Sequence, residues 1–215
     1  MKTTFQLEIN PSLIKAFFPE ERIKDKYKIL EILLEACRYM LHNKKVKTAR
    51  SPYKMILNKE KMSRLIFVGE NKIYSIYFPF NINYSKSVIT INYKNCLDLD
   101  SQNISTLLSI IKSPTMNSEN CLDFIDPIVN FDQSLWTTLR DLLISEDGYI
   151  RFDKDENGHK EAKAKKEEHR HPLNHIDIFY TNQVTLKLGL KVEYGETDLI
   201  DMMNTNTNCK YLNSH

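Results

Sequence analysis

Apolar residues recur at spacings of three and four near the start of this chain, and further on they alternate with polar ones. Ile23, Tyr27, Leu30, Leu34, Cys37 and Leu41 form one stripe of the first kind, which predicts an amphipathic helix. Pro19-Glu20-Glu21 ahead of it supplies the proline and acids that suit a first helical turn. Pro11-Ser12-Leu13-Ile14 predicts a shorter helix before that. From Arg64 the period falls to two. Arg64 to Val68, a turn over Gly69 to Lys72, and Ile73 to Phe78 predict a hairpin, with Ser87 to Tyr93 as a third strand. Asp100 to Asn103 is placed to cap a helix over Ile104 to Ile111. Asp132 is placed to cap another over Gln133 to Ser145, which would bury Leu135, Trp136, Leu139 and Leu142. Strands over 149–153, 175–180 and 184–190 follow, then a short helix from Asp198 to Met203.

This order of helices, strands, helices and strands, with no internal repeat, predicts an α+β fold. Its sheet is largely antiparallel, with helices packed on one face. At 215 residues the expectation is a single domain, 1–215. Within it lie a helical N-terminal part (1–43), a basic connector (44–64), the sheet and its helices (65–203) and a polar tail (204–215).

Composition narrows the function classes. Hydrophobic residues make up 41% of the chain and charged residues 27%, which allows a real core and argues against disorder. No apolar run approaches the ~18 residues of a membrane span. Met1 to Gln6 lacks the apolar stretch and cleavage site of a secretory signal, so a cytoplasmic location is expected. Cys37, Cys96, Cys121 and Cys209 are scattered, without the pairing of a cysteine zinc site. With five glycines the chain has no phosphate-binding Gly-rich loop, which excludes recognisable NTPase and dinucleotide motifs.

Charge is uneven. Lys44, Lys45, Lys47, Arg50, Lys54, Lys59, Lys61 and Arg64 face a single acid, Glu60, within one stretch, although the whole chain carries only +2. Such a block can attract nucleic acid by counterion release; a solvated connector is the plainer explanation. The remaining chemistry concentrates between residues 147 and 191. Side chains two apart share a strand face. Arg151 and Asp153 therefore face one way, as do His175 and Asp177 in the next strand, and Thr185 and Lys187 in the third. If the three strands are neighbours, one surface gathers Arg151, Asp153, His175, Asp177 and Lys187. These are the candidate catalytic residues, although a solvated sheet face would produce the same alternation.

Sharper motifs fail. Asp153-x-Asp155-x-Asn157-Gly158 resembles the first half of a calcium loop, but Lys160 and Ala164 occupy its apolar and glutamate positions; a turn is expected instead. His169-x-His171-x-x-x-His175 is interrupted by Pro172, and neither a metal nor another cofactor is assigned. Thr185-Leu186-Lys187 lacks the acid of a metal-dependent nuclease. Metal-free cleavage by His175 with Lys187 or Arg151 remains chemically open, since a histidine titrating near pH 7 suits acid–base work. The insert from Lys154 to Arg170, with six basic and five acidic residues, is expected to be a solvent-exposed excursion.

Arg151-Phe152-Asp153-x-Asp155, then His171-Pro172-x-x-His175, then a strand and a short helix containing Asp198-Leu199-Ile200, together resemble an uncharacterised bacterial domain-of-unknown-function family. The resemblance is confined to the last third of the chain, and the lysine-rich insert is longer than that family's spacing. Members of such families often lie in anti-phage defence operons beside ATPases and nucleases. That family has no assigned reaction; its operon setting, together with the missing catalytic motifs, favours a non-catalytic subunit of a defence-type complex, docked on a larger protein partner, with nucleic acid a second partner for the basic block. The alternative is an effector that cleaves or modifies nucleic acid with the His/Asp/Arg/Lys cluster. That reading requires the cluster to converge in an open cleft flanked by residues 44–64.

Overall fold

Lys54-Met55-Ile56-Leu57-Asn58-Lys59 carries an unbroken apolar centre inside a lysine-rich stretch, and in the computed structural model it is an interior strand rather than a connector. The structure describes residues 4–20, 23, 25–42, 52–59, 62–85, 88–117, 132–179 and 185–211. Contacts divide the described chain into two compact units, one of residues 1–9, 50–77 and 148–215, the other of residues 10–49 and 78–147.

The first unit is a seven-stranded sheet. Its strands are β1 (Thr4–Glu8), β2 (Lys54–Lys59), β3 (Ser63–Val68), β4 (Lys72–Tyr77), β8 (Ile150–Lys154), β9 (Asn174–Phe179) and β10 (Thr185–Leu190), in that spatial order. Every neighbouring pair is antiparallel. One face is apolar: Ile56, Ile66, Val68, Phe152 and Ile176 form a buried cluster, with Ile73, Ile150, Ile178, Leu188 and Leu190 packed against it. A C-terminal helix (Glu196–Met203) supplies Leu199 to this cluster, fully buried. Asp198 begins that helix by accepting a hydrogen bond from the Gly195 backbone N–H at 2.8 Å, which satisfies an otherwise orphaned donor. A second helix, Glu156–Ala164, lies in the insert between β8 and β9 and buries none of its residues, as its charge pattern suggests.

The second unit holds helices α1 (Ile14–Phe17), α2 (Lys26–His42), α3 (Ser101–Ile111) and α4 (Gln133–Ile144). It also contains a small antiparallel sheet of β5 (Asn81–Ser85), β6 (Val88–Tyr93) and β7 (Leu97–Asp98). The insert helix is thus α5 and the C-terminal helix α6. The expected stripe places Leu30, Leu34 and Cys37 in the core, and α2 packs on α3 and β6. The helix begins later than Pro19 suggests, because Asp25 accepts from the Lys28 N–H at 2.7 Å and caps it there. Asp100 and Asp132 cap α3 and α4 as expected, accepting from Asn103 and Ser134 N–H groups. On α4 the buried residues are Leu135, Thr138, Leu139 and Leu142; Trp136 is only half-buried. Among the described residues no helix is long and apolar enough to cross a membrane.

Truncating Leu199 to Ala should lower unfolding stability by about 2–5 kcal/mol, the usual range for a buried leucine. Urea denaturation reads this as a lower midpoint at unchanged slope. A loss below about 1 kcal/mol would show that α6 is not part of the core.

Candidate functional site

Register alone brings the candidate residues together. Arg151 lies opposite Asp177, and Asp153 opposite His175, across the β8–β9 pair. On the outer sides Tyr74 flanks Arg151, Lys72 flanks Asp153 and Lys187 flanks Asp177. All five candidates, Arg151, Asp153, His175, Asp177 and Lys187, therefore sit on adjacent strands, as the alternation predicts.

Their environment differs from an exposed sheet face. Arg151, His175 and Asp177 are buried, His175 with 2% of its surface exposed. Aromatic side chains cover the Arg151 end of the cluster. Tyr149 and Phe179 lie two residues from Arg151 and Asp177 on the same strand faces, and their rings stack at 4.7 Å. Tyr74 meets Tyr149 edge-on at 5.7 Å and stacks on Phe67 at 4.7 Å. The Arg151 guanidinium carbon lies 5.4 Å from the Phe179 ring centre, within cation–π range. In the sequence, the two-residue spacing of these aromatic residues from Arg151 and Asp177 is the signal that marks this end of the face as covered.

Arg151 organises the charges. Its Nη2 donates to Asp177 Oδ2 at 2.6 Å, and its Nε lies 2.7 Å from Asp153 Oδ2. The second contact is an ion pair without hydrogen-bond alignment, and Arg151 Nε and Asp153 Oδ1 have no hydrogen-bond partner. Burial is the largest influence on Arg151 and opposes its charge; Asp153, Tyr149 and Asp177 together outweigh it and raise its pKa. For Asp153 burial wins over Arg151, Lys72 and His175, and its pKa is raised. Burial also pushes the Tyr149 hydroxyl up to about 12.

His175 completes the cluster. Its Nδ1 is 3.2 Å from the Pro172 carbonyl, an acceptor, so Nδ1 carries the hydrogen. Nε2 faces Asp153 Oδ2 at 3.7 Å and Asp177 Oδ2 at 3.9 Å, both beyond hydrogen-bond length. Burial, then the Lys187 charge, lowers the His175 pKa. Gly189 opposes His175 on β10, and a Cβ there would stand 2.8 Å from the Pro172 ring; glycine lets that proline seat over the strand. A buried ring with one nitrogen committed to a carbonyl is not the open cleft that the nucleic-acid-cleaving reading requires.

Lys187 points elsewhere. Its ammonium donates to His171 Nδ1 at 3.3 Å, and His171 Nε2 donates to Asp155 Oδ2 at 2.8 Å. The other Asp155 oxygen accepts from the Gly158 N–H at 2.8 Å and caps α5. Both carboxylate oxygens are thus engaged, so the Asp153-to-Gly158 stretch opens a helix where a turn was expected. His159 Nδ1 donates to the His171 carbonyl at 2.9 Å, tying α5 to the same turn.

In the basic block, Arg64 donates to Ser75 Oγ at 2.9 Å and to the Gly148 carbonyl, and burial lowers its pKa to about 10. Lys54 pairs with Glu196 at 2.5 Å. Burial lowers the Lys59 pKa as well. These three are strand residues drawn into the fold, whereas Lys44, Lys45, Lys47, Arg50 and Lys61 lie outside the described residues.

No protein-family model, curated protein or solved structure matches this chain. The site's own chemistry carries the functional reading. Two carboxylates, one guanidinium and an imidazole can neutralise one another, fix strand register or hold a small cation.

Replacing Arg151 with Ala strands the buried Asp177 and the half-buried Asp153 carboxylates and should cost about 3–5 kcal/mol. Arg151→Lys should recover less than half of that, because one ammonium cannot reach both oxygens as a planar fork does. Chemical denaturation of the two variants measures this. Equal stability of Arg151→Ala and the unaltered protein would mean the cluster behaves as a surface ion pair.

Proposed function

We propose that this protein is a non-catalytic subunit that docks on a larger protein partner, an ATPase or nuclease of an anti-phage defence-type complex. One observation carries the non-catalytic half: buried Arg151, His175 and Asp177 and half-buried Asp153 close on one another in one cluster. A general acid–base pair must reach its substrate directly or through one water. Here the imidazole is covered, its Nδ1 is held by Pro172, and the guanidinium that could meet a phosphate is engaged with two carboxylates. Covalent catalysis also lacks support, since no serine or cysteine is framed by a base in the sequence. The complex and its defence setting rest on the family resemblance of residues 151–200.

Nucleic-acid contact, in this reading, is secondary. It falls to Lys44, Lys45, Lys47, Arg50 and Lys61, because Lys54, Lys59 and Arg64 are strand residues of the sheet unit.

The test is co-expression with the proteins encoded beside it, followed by native mass spectrometry, together with a cleavage assay on the isolated chain. The expected result is a stoichiometric complex with a larger neighbour, and no cleavage of single- or double-stranded DNA or RNA by the chain alone. A lone monomer or homodimer that cleaves nucleic acid, and loses that activity in His175→Ala, would overturn the proposal.

A further inference from the structure

We propose that Asp153, His175 and Asp177 form a buried binding site for one divalent transition-metal cation of the zinc or manganese class. Two carboxylates alone would not establish this, and the His175 ring supplies the independent observation. Its side chain is 3% exposed. Its Nδ1 hydrogen goes to the Pro172 carbonyl, which leaves the Nε2 lone pair directed at two carboxylate oxygens 3.7 and 3.9 Å away. A lone pair facing two anionic oxygens is repulsive; a proton on Nε2 would find neither oxygen within hydrogen-bond length, whereas a cation between them would meet all three atoms. A ring hydrogen donated to a backbone carbonyl is also the usual way a protein orients a metal-binding imidazole.

Asp153 adds a second observation. Its side chain is 13% exposed, its Oδ1 is buried without a hydrogen-bond partner, and Arg151 Nε approaches Oδ2 as an ion pair without hydrogen-bond alignment. A buried carboxylate normally finds such partners. Arg151 contacts the two Oδ2 atoms but balances only one of the two carboxylates. Neither Lys72 nor Lys187 forms an ion pair with Asp153 or Asp177 among the described residues. Each Oδ2 retains lone-pair capacity beside its arginine contact.

Size and chemistry agree. The three ligand atoms lie within 4.8 Å of one another, so one ion among them reaches the ~2.0–2.2 Å of zinc–nitrogen and zinc–oxygen bonds with at most a sub-ångström contraction of the cluster. One imidazole with two carboxylates favours zinc or manganese over magnesium or calcium, which prefer oxygen alone. The three ligands come from two adjacent strands, so an ion here would cross-link β8 and β9.

Elemental analysis of protein purified through a tag without histidines, followed by Zn²⁺ and Mn²⁺ titration of chelator-treated protein, tests the site. The expected result is about one equivalent of ion per chain and a Tm raised by roughly 5 °C or more on reloading. Asp153→Asn, which keeps the shape but weakens the ligand, should lose the ion; His169→Ala, at an exposed imidazole outside the cluster, should keep it. Metal-free protein whose Tm ignores both ions would overturn the proposal. So would ion content unchanged in Asp153→Asn, which would mark an adventitious ion only. If Asp153→Asn fails to fold, ion content and reloading of the unaltered chain still decide the matter. None of these outcomes depends on whether a larger partner exists.

Discussion

A guanidinium held between two carboxylates on neighbouring strands is the constraint around which the first unit is organised. Taking three charges out of water carries a desolvation penalty of several kcal/mol per ion, which only close and well-directed contacts offset. Arg151 reaches Asp177 and Asp153 at 2.6 and 2.7 Å in one register of β8 against β9. A slip of one residue would turn Arg151 toward Ile176 and send Phe152 to the polar side. The apolar face imposes the same register independently, since Phe152 must meet Ile176 and Leu199. Both faces of the strand pair therefore specify one alignment, a consistency expected of a sequence that encodes one structure.

From this centre the polar contacts run outward in order. His175 holds Pro172, Gly189 makes room for that proline, and His171 joins Lys187 to Asp155 at the start of α5. Four of the chain's six histidines lie in residues 159–175. Of these, His159, His171 and His175 have identified partners that join the insert helix and its following turn to the sheet. A histidine-rich segment of this kind looks catalytic in sequence, but its ring nitrogens serve largely as hydrogen-bonding links in the fold.

Strand alternation made the membership of the cluster legible, because a period of two leaves little choice about which residues share a face. Exposure was harder to read. Alternation looks the same on a solvated face and on a polar face covered by other groups, and only Tyr149 and Phe179, beside Arg151 and Asp177, marked the difference. Strand β2 was lost for a related reason: Met55, Ile56 and Leu57 are buried, but four lysines or arginines from Lys44 to Arg50 and two more at Lys59 and Lys61 made the stretch look like a connector. Three consecutive apolar residues suit a strand covered on both sides, and that signal outweighed the surrounding charge in the fold. The division into two units was also hidden, since residues 10–49 and 78–147 interrupt the sheet's strands in sequence while the strands pair across those gaps.

A double-mutant cycle on Arg151→Met and Asp177→Asn, read by chemical denaturation, tests the central claim most directly. A buried, mutually compensating network predicts that the two changes are strongly non-additive, with a coupling of about 1.5–3 kcal/mol, the upper range for residues in direct contact. Additivity within about 0.5 kcal/mol would place the two charges in independent, solvated settings and contradict the account.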